Sequence, residues 1–236
     1  MKRENCEIFN DSDREGLFSR VSEFISEIAE RSIAARGVFL FGYSGGSSAS
    51  FFEKFKFSSV SSAWHLFPVD ERVECGEAET NYFAIRAAWK EADLCTFHVP
   101  KGSGSVEEIA EEFDAEVKQV FSVAKTDCFD FLLLGLGPDG HTASLFPNHP
   151  DFLQASNPQS AIIPVRNSPK PPPNRISMSP SCIKSARECA FVVCGSPEKA
   201  AVIGAVLSGD LGYPPAVVAP HAHWFLDHIS AGDLMK

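Results

Sequence analysis

Phe129-Asp130-Phe131-Leu132-Leu133-Leu134 runs directly into Gly135-Leu136-Gly137-Pro138-Asp139-Gly140-His141. So short an almost unbroken apolar run suits a strand covered on both faces, as in the middle of a parallel sheet. The glycines then turn the chain. Ligands of open parallel sheets bind beyond the carboxyl ends of the strands, so this turn lies where function is to be sought.

The segments on either side repeat the pattern. Ser12 with Glu15 reads as a capping box, and Leu17, Phe18, Val21, Phe24, Ile25, Ile28 and Ile33 recur at helical spacing as far as Gly37. Val38-Phe39-Leu40-Phe41 is a short strand ending in Gly42-Tyr43-Ser44-Gly45-Gly46-Ser47, and Phe51, Phe52 and Phe55 place a helix after it. Trp64–Val69 reads as a strand, residues 80–91 as a helix and Cys95–Val99 as a strand, and Ser105 with Glu108 opens a further helix. Residues 147–175 are rich in Pro, Asn and Ser and are expected to form a long loop around one short strand, Ala161–Val165. Cys189–Val193 and His223–Leu226 read as strands, with Ser196 capping a helix that has Pro197 at its first position. Alternation at this spacing implies βαβ crossovers. The expectation is an α/β chain, one domain over residues 1–236, with a mainly parallel, Rossmann-like sheet and helices on both faces.

The formal net charge is −10, which disfavours nucleic acid and anionic membranes as partners, because binding a phosphate backbone takes many Lys and Arg contacts. Residues 1–160 carry 14 Lys and Arg against 26 Asp and Glu, and residues 161–236 carry 7 against 5, so the last third tolerates a bound phosphate best. The N-terminus lacks the apolar stretch of a secretory signal, and no later run is long enough to span a membrane, so a cytoplasmic location is expected. The seven cysteines, an odd number with no CxxC pair, read as reduced core residues. A monomer is favoured, although nothing in the pattern fixes the oligomeric state.

Three segments that follow strands could carry chemistry. In Ser44-Gly45-Gly46-Ser47 the glycines let backbone approach a ligand, and the next helix offers free N–H groups to an anion. It is not a Walker loop, because no Gly-Lys-Ser/Thr follows. Val69-Asp70-Glu71-Arg72 sets a guanidinium at the same sheet edge, where its fork suits phosphate or carboxylate. Alone, such a triplet is as readily a solvated ion pair. Gly135 to Gly140 satisfies G-x-G-x-x-G, but Pro138 sits inside the turn, the next segment is short and no ribose-holding acid follows, so dinucleotide binding is not expected. What the turn does offer is His141 beside Asp139, an imidazole able to take a proton from water near neutral pH. His65, His98, His149, His221, His223 and His228 keep the ordinary reading of structural histidines.

Together, Ser44–Ser47, Val69–Arg72, Asn81-Tyr82, Leu134–Pro147 (Leu-Gly-Leu-Gly-Pro-Asp-Gly-His-Thr-Ala-Ser-Leu-Phe-Pro) and Ser168–Pro173 (Ser-Pro-Lys-Pro-Pro-Pro) resemble the motifs of the 6-phosphogluconolactonase family, in the family's order. The similarity runs from about residue 38 to Trp224–Asp227, with Asn167 and Asn174 as departures beside the proline motif. It implies a fold similar to the amino-sugar phosphate isomerases and no metal or organic cofactor. It also implies hydrolysis of 6-phospho-D-glucono-1,5-lactone in the oxidative branch of the pentose phosphate pathway, with the catalytic histidine at His141 and Asp139 orienting it. The phosphate contacts fall on Arg72 and Lys170, with Gly45, Gly46 and Ser47 bordering the site. Asp70, Gly140 and Arg175 complete the candidate set. A lactone is an activated ester, so orientation, one base and oxyanion donors suffice without a covalent nucleophile. Two rivals stand beside this reading. An amino-sugar phosphate deaminase or isomerase needs a carboxylate soon after its Gly-His turn, and here none comes before Asp151; a sugar-phosphate sensor needs an attached DNA-binding domain.

Overall fold

The strands, in chain order, are β1 (Cys6–Phe9), β2 (Phe39–Tyr43), β3 (Trp64–Pro68), β4 (Asp70–Arg72), β5 (Thr96–Phe97), β6 (Phe131–Leu134), β7 (Ile162–Val165), β8 (Arg175–Met178), β9 (Glu188–Val193) and β10 (His223–Asp227). The helices are α1 (Arg14–Arg36), α2 (Ala49–Phe52), α3 (Asn81–Ala88), α4 (Val106–Val123), α5 (Pro150–Leu153), α6 (Pro180–Ser185), α7 (Ala200–Leu207), α8 (Pro214–Val218) and α9 (His228–Ala231). These elements are those of a computed structural model that describes residues 6–9, 14–46, 49–55, 61–101, 103–153 and 159–235.

The opening strand is the middle member of a seven-stranded sheet, ordered β1-β10-β9-β6-β2-β3-β5, in which every pairing is parallel. Its side chains alternate between two cores. Phe131 and Leu133 face Leu17, Val21 and Ile25 of α1, while Leu132 and Leu134 face Ile109, Phe113 and Val117 of α4. Burial on both faces is why the run is apolar without a gap; each such side chain removed from water contributes about 1.5–3 kcal/mol. Asp130, the exception just before the run, is fully buried and takes the backbone N–H of Leu40 together with the guanidinium groups of Arg36 and Arg187.

Chain order reverses between β2 and β6. From β2 the chain moves outward through β3 and β5, then returns to β6 on the other side of β2 and continues through β9 and β10. At such a switch point the loops leaving the two neighbouring strands diverge and leave a crevice. Those loops are Ser44–Gly46 and Gly135–His141.

A second, antiparallel sheet, β4-β8-β7, stands beside this crevice and is absent from the sequence reading, which placed one strand there and a loop to residue 175. It pairs Arg72 with Arg175 and Asp70 with Ser177. β1 is likewise an addition. Ser105 and Glu108 form the expected reciprocal cap on α4. Ser196 does not cap a helix: its hydroxyl donates to the Cys194 carbonyl, and Pro197–Lys199 form a 3-10 turn before α7. Ser12 lies outside the described residues. Cys75, Cys95, Cys128, Cys182, Cys189 and Cys194 are unbridged. Among the described residues no helix is long and apolar enough to cross a membrane.

Candidate active site

The crevice is a cleft of about 220 Å³. Its floor is made where two turns are tied together, since Gly135 N–H donates to Ser44 Oγ (3.0 Å). Gly45 must be glycine, because a Cβ there would collide with the side chain of Asn81. Asn81 opens α3 and donates from its amide to the Asp70 carbonyl (2.8 Å). The Glu71 carboxylate accepts the N–H groups of Arg72 (2.8 Å), Asn81 (2.7 Å) and Tyr82 (2.8 Å), fastening β4 to the first turn of α3. Burial pushes Glu71 up to about 7 against the pull of these donors. Arg72 is then directed at the cleft. Its Nη1 donates to the Glu79 carbonyl (2.6 Å), whereas its buried Nε has no partner among the described residues.

The turn after β6 closes on itself. Gly137 N–H donates to the His141 carbonyl (2.8 Å) and Gly140 N–H to the Gly137 carbonyl (3.0 Å), with Gly140 at φ +82°. No helix follows; Thr142 and Leu145 form a two-residue bridge instead, which removes the helix N-terminus a dinucleotide would need. Gly137 has no room for a side chain against His141 and Asp139, and Gly140 has none against Tyr213. Gly140, a candidate substrate contact by sequence, is therefore buried under Tyr213 and does not line the cleft.

His141 Nδ1 lies 2.6 Å from Asp139 Oδ1, and the ring rests on Phe146 with centroids 4.7 Å apart. An ionised Asp139 requires the proton on Nδ1, so Nε2 carries the lone pair. Burial lowers the His141 pKa, opposed by the Asp139 contact and aided by Lys170, and the net shift is downward. Burial pulls Asp139 upward, but hydrogen bonds from His141 and Lys170 outweigh it and hold that carboxyl below its ordinary value. The pair is thus a neutral imidazole on a carboxylate near neutral pH.

Arg175 is 5% exposed, and its guanidinium organises the proline loop. Nε donates to the Pro172 carbonyl (3.2 Å), and Nη2 to those of Pro171 (3.0 Å) and Lys170 (3.1 Å). Nη1 lies 3.7 Å from Asp70 Oδ2, and Ser144 Oγ donates to the same oxygen (2.7 Å). Of the candidates, Gly45, Gly46, Asp70, Arg72, His141 and Arg175 gather around the cleft. Asp139 stands behind His141. Lys170 reaches Asp139 and His141 and does not line the cleft, and Ser47 lies outside the described residues.

One cation on the cleft escaped the sequence reading. Lys199, 8% exposed, has no ion-pair partner among the described residues; burial lowers its pKa, opposed by the charge of Glu198 and reinforced by Lys170. The available signal was positional, a lysine in the turn after a parallel strand. Among the described residues no group of three His, Cys, Asp or Glu is placed to hold a metal ion.

Residues 12–226 match the family model described as glucosamine-6-phosphate isomerases/6-phosphogluconolactonase. The chain belongs to this family. Within the glucosamine-6-phosphate isomerase/6-phosphogluconolactonase family it is 34% identical over 226 residues to a probable 6-phosphogluconolactonase of Drosophila melanogaster, covering 93% of this chain and 90% of that one. It is also 34% identical over 240 residues to the human 6-phosphogluconolactonase, with the same two coverages. The crystal structure of a 6-phosphogluconolactonase from Shewanella baltica is similar with a TM-score of 0.82 at 25% identity, covering 96% of this chain and 98% of that one.

Proposed function

We propose that this chain hydrolyses 6-phospho-D-glucono-1,5-lactone to 6-phosphogluconate, the lactone-opening step of the oxidative pentose phosphate pathway, without a metal or organic cofactor. The observation that carries this reading is His141, held on Asp139, in a cleft walled by Arg72, Arg175 and Lys199. Nε2 takes a proton from the water that attacks C1. Cationic and backbone donors hold the tetrahedral oxyanion, and His141 returns the proton to the departing ring oxygen. Lys199, buried, without an ion-pair partner among the described residues and lining the same cleft as Gly45 and Gly46, is the first choice for the phosphate.

The isomerase alternative lacks its carboxylate. Asp151, the first acid after His141, accepts the Arg166 N–H (2.8 Å) away from the cleft, and Asp70 is engaged by Ser144 and Arg175. Acid release from freshly made lactone, measured against the spontaneous rate and alongside ammonia release from glucosamine 6-phosphate, tests the assignment. Acceleration of the first alone is expected; the reverse result would replace this reading with deamination. Lys199→Met should raise KM about tenfold to a hundredfold with kcat little changed, the 1.5–3 kcal/mol of a lost charge-assisted contact. Unaltered KM would take the phosphate elsewhere.

A further inference from the structure

We propose that Lys170 is a positioning residue whose ammonium holds Asp139 and His141 in the arrangement that leaves the ring's Nε2 free to act as the base, and that it does not contact the substrate phosphate. The inference rests on the reading of His141 as the base and names what sets that base. Lys170 Nζ lies 3.0 Å from Asp139 Oδ1 and 3.2 Å from His141 Nδ1, so ammonium and imidazole share one carboxylate oxygen that is itself 2.6 Å from the ring. The backbone on which Lys170 sits is anchored in turn. Arg175 Nη2 holds the Lys170 and Pro171 carbonyls, Ser168 Oγ accepts the Lys170 N–H (3.3 Å), and Ser168 N–H donates to the Pro173 carbonyl (2.9 Å). A long flexible side chain is thereby delivered to one place from a fixed origin.

The arrangement answers a chemical difficulty. A carboxylate against Nδ1 fixes the useful tautomer, but by itself it also favours the imidazolium, which cannot accept a proton. A cation touching both groups works with burial against that second effect and keeps the first. The charged groups facing His141 are Asp139 on its own turn, Lys170 from the proline loop and Asp70 from β4, while Arg72, Arg175 and Lys199 lie around the cleft and Phe146 covers one face of the ring. Burial is the largest influence holding His141 below its ordinary value, with Asp139 opposing and Lys170 reinforcing it. With Lys170 Nζ committed to Asp139 and His141, the phosphate is left to the cations that line the cleft.

The test compares wild type with Lys170→Met, Lys170→Arg and Asp139→Asn. His141 is titrated by NMR in the ligand-free protein, and kcat and KM for the lactone are measured across pH. Lys170→Met should move the imidazole midpoint upward. On the acidic side it should lower kcat/KM about threefold to tenfold relative to wild type, because each unit of displacement removes about tenfold of the neutral base. Its KM on the alkaline side should stay within about twofold. Lys170→Arg should restore the wild-type limb, and Asp139→Asn should shift the imidazole midpoint the opposite way. A tenfold rise in KM with an unmoved midpoint would overturn the proposal and return Lys170 to the phosphate, and no change in any readout would overturn it as well. If the midpoints move as stated while the wild type fails to accelerate lactone opening, the ion cluster stands and the lactonase reading falls.

Discussion

His141→Asn is expected to lower kcat by about a hundredfold to ten-thousandfold, the usual range for removing a general base. Asparagine retains a polar side chain at the same place but cannot accept a proton from water. Binding should survive, because the groups assigned to the phosphate lie on other elements. Arg72 is fixed by the Glu79 carbonyl, and Lys199 stands in the turn after β9. The affinity of the variant for 6-phosphogluconate should therefore stay within about threefold of wild type. Calorimetric titration with the product and steady-state turnover together check this; a near-normal kcat would show that some other group activates the water.

The same residue sets the pH dependence. Because burial holds the His141 pKa below the ordinary histidine value, the neutral base is fully present above that value and is lost only as pH falls through the lowered one. The acidic limb of kcat/KM should thus lie below pH ~6.5. A limb above that point would mean that Asp139 outweighs burial and Lys170 in the working enzyme.

The parallel sheet was legible because its signals are local. β6 declares double-sided burial within a few residues, the Ser105 and Glu108 cap is a four-residue pattern, and the glycine turns after β2 and β6 mark the switch point before any pairing is known. The second sheet was not legible, since its information is spread over a hundred residues. β4 is the charged triplet Asp70-Glu71-Arg72, with no apolar alternation, and β8 begins one residue after a proline run. Only their pairing with each other makes them strands. The same pairing fixes Arg175, which by sequence was a substrate contact and in the fold spends three hydrogen bonds on carbonyls of the proline loop. Lys199 went unnoticed because Ser196-Pro197 reads as a helix start, which drew attention to capping and away from the lysine two residues on.

Asp70→Ala should destabilise the fold by about 3 kcal/mol, near the lower end of the cost of leaving one member of a buried ion pair without its partner. The side chains of Asp70 and Arg175 are 9% and 5% exposed, and Asp70 Oδ2 is also the acceptor for Ser144 Oγ. Removing the carboxylate strands a guanidinium and a hydroxyl where water scarcely reaches, at the point that joins β4, β8 and the turn carrying His141. At roughly 2–4 °C per kcal/mol for a chain of this length, Tm should fall by about 6–12 °C. Arg175→Met added to Asp70→Ala should recover part of the loss by removing the stranded charge, a coupling that a double-mutant cycle reads directly. Asp70 also borders the cleft, and the two roles separate cleanly. If it served the substrate alone, Tm would stay within about 2 °C while KM rose, since a change away from buried pairs costs only about 0.5 kcal/mol. Because the buried tie holds the Arg175-anchored proline loop in place, Tm and kcat should instead fall together, with Asp70→Asn, which keeps an acceptor for Ser144, between Ala and wild type.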